Sequence, residues 1–101
     1  MTDQANVPQG FEPLPEGLGF TDSLQPIYRS VVEDSVSFGL HVAAHHSNSL
    51  SICHGGVLMS LADITAASGV NLAAGKLFGN PTVNLAVDFI NAARQGEWIE
   101  G

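Results

Sequence analysis

The segment from Gly56 to Ala74 restricts what this chain can fold into more than any other part of it. Leu58, Leu61, Ala62, Thr65, Ser68, Gly69 and Leu72 recur at three- and four-residue spacing, the period of an α-helix. The faces between them are also apolar or small, and a helix that is apolar all round belongs in an interior. Its small residues (Ala62, Ala66, Ala67, Ser68, Gly69, Ala73 and Ala74) admit neighbouring backbone at close range. Gly75 supplies a stop, and Lys76 complements the negative end of the helix dipole. Such a helix has to be wrapped by something.

The wrapping is written as strands. From Ser35 to Val42, Val36, Phe38, Leu40 and Val42 alternate with Ser35, Ser37, Gly39 and His41, the two-residue period of a strand with one buried face. Thr82 to Ile90 alternates again, and Glu97-Trp98-Ile99-Glu100-Gly101 begins another strand. Ile27, Val31 and Val32 suit an edge strand. The polar run Ala44 to Ser51 is a loop leading into Ile52-Cys53-His54-Gly55-Gly56. Residues 1–19, with Pro8, Pro13, Pro15, Gly10, Gly17 and Gly19, read as an irregular, mobile arm, and residues 20–101 as one domain. The expected fold class is α+β: an antiparallel sheet curved around one long central helix. The strands visible here are too few to cover it, so the domain is expected to be C-terminally incomplete.

Charge and composition exclude several functions. Ten acidic residues oppose three basic ones (Arg29, Lys76 and Arg94), a net charge of −7, which argues against nucleic acid or an anionic membrane surface as partner. The lone Cys53 cannot form an internal disulfide, and no basic and apolar leader opens the chain, so a reducing, cytoplasmic setting is expected. The longest uncharged stretch, Ser35 to Ala62, is broken by four histidines and three glycines; no membrane span is expected. His41, His45, His46, His54 and Cys53 match no zinc-ligand spacing, so no metal site is expected. Cys53 is better placed as a small buried hydrophobe.

The candidate chemistry centres on Asp63, the only formally charged residue between His54 and Gly75. A carboxylate on an apolar helix needs partners or a shifted pKa, a common mark of functional sites. His54-Gly55-Gly56 stands at the helix start, where glycines admit a ligand and open N–H groups favour an oxyanion. Asp63 follows Gly55 by eight residues, about 12 Å along a helix axis, whereas reacting groups must approach to roughly 3–3.5 Å. If both serve one reaction, the site is shared between two chains with antiparallel helices. Asn48 can bond a carbonyl or a water, although an Asx-turn is the ordinary use of a loop asparagine. Thr82 can orient a water, although a threonine there also simply suits a strand.

The run Asn48-Ser-Leu-Ser-Ile-Cys-His-Gly-Gly-Val-Leu-Met-Ser-Leu-Ala-Asp63 resembles the signature of hotdog-fold acyl-CoA thioesterases. It is most similar to the phenylacetic-acid-degradation type of the 4-hydroxybenzoyl-CoA thioesterase superfamily. Asn48 precedes His54 by six positions and Asp63 follows it by nine, as in that group. The run from Thr82 to Phe89 and Asn91-Ala-Ala-Arg-Gln-Gly-Glu97 resembles the strand and turn that follow. The resemblance spans about Val36 to Gly101. It implies Asp63 as nucleophile or general base, the Gly55 N–H as oxyanion donor, and Asn48 and Thr82 as positioning groups. It implies His54 and Gly56 as residues shaping the substrate site, no cofactor, and a homodimer or dimer of dimers acting on an acyl- or aryl-acyl-CoA.

Two departures stand out. Ser51 occupies a position where that group usually has glycine, and family members continue for two more strands beyond the position of Gly101. The scarcity of basic residues also leaves the phosphates of coenzyme A without evident partners. Two other readings are a non-catalytic acyl-CoA-binding module on the same scaffold and, less well matched, a hydratase or dehydratase, which would use a histidine paired with a carboxylate.

Overall fold

The computed structural model describes residues 7–75, 85–86 and 91–101. Within them lie β1 (Glu12–Pro13), β2 (Tyr28–Val32), β3 (Ser35–His41), α1 (Gly55–Ala74) and β4 (Trp98–Glu100), with 3-10 turns at Gly19–Leu24 and Ala44–His46. The strands form one antiparallel sheet in the order β1-β2-β3-β4, and α1 packs on β3. This is the α+β hotdog arrangement of a sheet laid on one long helix. The predicted strand over Thr82 to Ile90, and Thr82 itself, lie outside the described residues, apart from Leu85 and Ala86.

The alternation in β3 sorts its residues between two environments. Phe38 and Leu40, continued by Val42, join Ile27, Leu24, Cys53, Val57 and Leu61 in the core. Each fully buried aliphatic side chain contributes about 1.5–3 kcal/mol, and these few clasp α1 to the sheet. The opposite face is aromatic. Trp98 of β4 meets Phe11 edge-on with ring centroids 5.2 Å apart, and His41 at 5.0 Å. Its indole N–H donates to Glu100 Oε1 at 2.8 Å. The ring lies flat over Gly39, where a Cβ would overlap it. This close approach explains an unbranched position in the middle of the best strand.

Two sequence expectations need correction. The segment read as an irregular arm supplies β1, with Glu12 opposite Arg29 and Pro13 opposite Tyr28. In the helix read as buried all round, only Val57 and Leu61 are buried, while Val70 and Leu72 are 56 % and 38 % exposed. Among the described residues, β3 covers one stripe of the helix and leaves the others open. By length and composition alone α1 could cross a bilayer, with a mean hydropathy of 1.4 over its most apolar 18 residues, a property that the core helix of a soluble domain shares.

Gly39→Val should force Trp98 off the sheet, at a cost of about 1–3 kcal/mol for overpacking. Trp98 is the single tryptophan, so a lower thermal midpoint with red-shifted native emission is the expected result.

Candidate active site

The site is built around the start of α1, and the segment before the helix is fixed from two sides. The Cys53 N–H donates to Ala93 O at 2.6 Å, and the His54 N–H to His46 O at 2.7 Å. Single bridges pair Ser47 with Cys53 and Ile52 with Arg94. The helix start is therefore held between the loop at 43–48 and the turn at 91–96.

His54 caps the helix with its side chain. Its Nδ1 accepts the Gly56 N–H at 2.8 Å, so the ring proton sits on Nε2. A Cβ on Gly56 would stand 3.1 Å from that Nδ1, tighter than an ordinary contact, so the second glycine makes room for the capping ring. The His54 carbonyl accepts the N–H groups of Val57 and Leu58. Leu58 makes the first ordinary helical bond, and of the four amides that a helix start leaves without helical partners, those of His54, Gly56 and Val57 are engaged. The Gly55 N–H has no partner among the described residues.

Asn48 makes the Asx-turn weighed for it. Its Oδ1 accepts the N–H of Leu50 at 2.8 Å and that of Ile52 at 3.4 Å, an Asx-type turn that also fixes which amide atom is oxygen. The Nδ2 group is left as a donor with no partner among the described residues. The turn places Ser51 at φ 62°, in the left-handed region that suits glycine, at a cost of about 1 kcal/mol. This accounts for glycine being usual there in the resembling group.

Asn48 and Gly55 line the same cavity, of about 360 Å³, with Ile52, Cys53, Leu58 and the segment Asn91–Ala93. Two uncharged N–H donors facing an apolar hollow suit a carbonyl oxygen that gains negative charge. Burial pushes the Cys53 thiol up, so the sulfur stays protonated and is a poor nucleophile. Asp63 is half-buried further along α1 and is not an unpartnered carboxylate. It does not line the cavity, as its eight-residue separation from Gly55 requires.

The histidines are dispersed among structural tasks. His45 and His46 lie in a 3-10 turn with ring centroids 3.9 Å apart. His45 Nε2 donates to Gln25 O at 2.8 Å. His46 is fully buried; its Nδ1 accepts the Ala43 N–H at 2.9 Å and its Nε2 donates to Leu24 O at 2.7 Å. Among the described residues, no three His, Cys, Asp or Glu side chains converge as metal ligands would.

Residues 50–101 match the family model described as the Thioesterase superfamily. A curated Pseudomonas aeruginosa protein named "Putative esterase PA0474" is 35 % identical over 98 residues, covering 94 % of this chain and 72 % of that protein. The chain belongs to the thioesterase superfamily. For a thioesterase-superfamily chain, the matched region contains both the Gly55 helix start and Asp63. Sequence reasoning passed over the turn at 91–94 as part of the cavity wall. Its attachment to Ile52 and Cys53 is by isolated bridges, which leave no periodic signal.

His46 gives the site a defined acid sensitivity. Burial outweighs its carbonyl bond and holds its pKa below the usual 6.5, so above that value both folded and unfolded chains carry it neutral. As pH falls through 6.5 the unfolded chain binds a proton that the folded one refuses. Stability should therefore decline below pH 6.5 by at most about 1.4 kcal/mol per pH unit from this group. Urea unfolding between pH 7.5 and 5.5 should show the decline, with a flatter dependence in His46→Gln.

Proposed function

We propose that this protein is an acyl-CoA thioesterase of the phenylacetic-acid-degradation type, hydrolysing an acyl- or aryl-acyl-CoA to a carboxylic acid and free CoA. The observation that carries this reading is the cavity on which the one open amide of the helix start and the spare amide of Asn48 converge. The thioester carbonyl sits there, and the Gly55 N–H and Asn48 Nδ2 stabilise the charge that gathers on its oxygen. Membership of the superfamily supports hydrolysis of this bond.

Asp63 supplies the attack, as general base toward water or as nucleophile. In the first case it takes a proton from water, the water oxygen bonds to the carbonyl carbon, and the C–S bond breaks; the proton then passes to the departing thiolate. The spacing along the helix supports assigning this carboxylate to the neighbouring copy. Two α1 helices side by side and antiparallel bring Asp63 of each to the Gly55 of the other, whereas about 12 Å of helix separates the pair within one chain. The active unit is a homodimer, or a pair of such dimers, and Thr82 orients the water or the carboxylate.

Gly55→Pro tests the oxyanion donor with little disturbance. Proline is accommodated at the first helical position, and His54 already has the extended backbone (φ −64°, ψ 137°) that a following proline requires. The substitution should retain the thermal midpoint while lowering kcat by about 10²–10³-fold, with a smaller loss in Gly55→Ala, which keeps the N–H. Asp63→Asn should lower thiol release from a panel of acyl-CoAs at least about 10²-fold. Full activity in a folded Asp63→Asn protein would remove that residue from the mechanism. Tight acyl-CoA binding without thiol release by the parent would replace the enzyme with a binding module.

A further inference from the structure

The cavity explains how an uncharged thioester is held, but coenzyme A ends in phosphates and the chain carries a net charge of −7. Among the described residues, Arg29 and Arg94 are the only lysine or arginine side chains. Arg29 lies in β2 opposite Glu12 and lines a separate hollow with Gly10, Pro13 and Val31. Arg94 directly follows the cavity-lining segment Asn91–Ala93 and is bridged to Ile52, another lining residue. The Ala93 carbonyl holds the Cys53 N–H, and no more than about 7 Å of extended chain joins Cys53 to Gly55. The Arg94 side chain is exposed. Glu97 turns Oε1 to the Arg94 backbone N–H at 2.6 Å, and the guanidinium has no ion pair among the described residues.

We propose that Arg94 is the phosphate anchor of this site, binding the anionic end of a CoA thioester at the cavity rim while the uncharged arm and thioester occupy the hollow. The inference rests on the thioesterase reading for its ligand, though not for its geometry. Among the described residues the cavity wall is uncharged and includes the side-chain amides of Asn48 and Asn91, which suits the amide-bearing arm between thiol and phosphate. A planar guanidinium offers paired N–H donors to phosphate oxygens. In a chain this acidic, one well-placed cation decides which end of the ligand is tolerated at the mouth.

The test compares an acyl-CoA with the same acyl group on N-acetylcysteamine, which has the thioester and no phosphate. In Arg94→Gln the ratio of kcat/KM for the CoA thioester to that for the short thioester should fall roughly fivefold, the effect of an exposed charge pair. The loss should appear in KM, and the rise of KM with salt should flatten relative to the parent. An unchanged ratio, whether both substrates lose equally or neither does, overturns the assignment of Arg94. Calorimetric titration with CoA and with pantetheine provides a readout free of turnover: Arg94→Gln should weaken CoA and not pantetheine, and equal affinities for CoA in parent and variant overturn it. A parent that hydrolyses neither thioester yet binds CoA through Arg94 refutes hydrolysis while retaining the anchor.

Discussion

Two backbone hydrogen bonds, Cys53 N–H to Ala93 O and His54 N–H to His46 O, determine where α1 begins, and the rest of the site follows from that point. Between them they hold the segment before the helix against the 3-10 turn at Ala44–His46 and the turn at 91–96. Val57 and Leu61 then enter the core beside Phe38 and Leu40, so the helix cannot slide along its axis without opening the interior. Packing alone would leave the helix free at its end. The paired loops give the first amide of the packed helix a defined address.

The capping ring refines that address. Helix starts usually expose several donors together, and an anion can bridge them. Here His54 takes the Gly56 N–H and its carbonyl takes the next two, leaving Gly55 alone beside the spare amide of Asn48. The glycine pair divides its labour accordingly: Gly55 lines the cavity, and Gly56 leaves space for the imidazole. A branched residue at 56 would press on the ring and disturb the cap before it touched any ligand.

Much of this was legible in the residues, and the limits have physical causes. The alternation at Val36, Phe38, Leu40 and Val42 announced β3 and its buried face because a strand has a strict two-residue period. Gly75, at φ 68°, announced the end of α1 because only that conformation closes the last turn cheaply. What composition could not convey was the covering of the helix: an apolar surface states that it should be buried, not by which strands or by which chain. The turn at 91–94 was equally silent, since an isolated bridge such as Ile52 with Arg94 needs no pattern in either partner. Asn48 was read with two alternatives open; its Oδ1 takes the turn, and its Nδ2 stays open among the described residues. The 3-10 turn that brings the rings of His45 and His46 together was not foreseen, because adjacent polar residues in a loop carry no period.

The economy of donors at the helix start bears on what happens after the bond is broken. A carboxylate is held best by two or more N–H groups on neighbouring residues, and a start with open amides at 55, 56 and 57 would retain it. With the second amide closed by imidazole and the third by the same residue's carbonyl, the new acid meets one open backbone donor and, among the described residues that line the hollow, no fixed positive charge. A carbonyl passing through a tetrahedral stage is served by that arrangement; a finished acid is not. The cap thus favours clearance of the product, and turnover in a site of this kind would be limited little by its own acid accumulating.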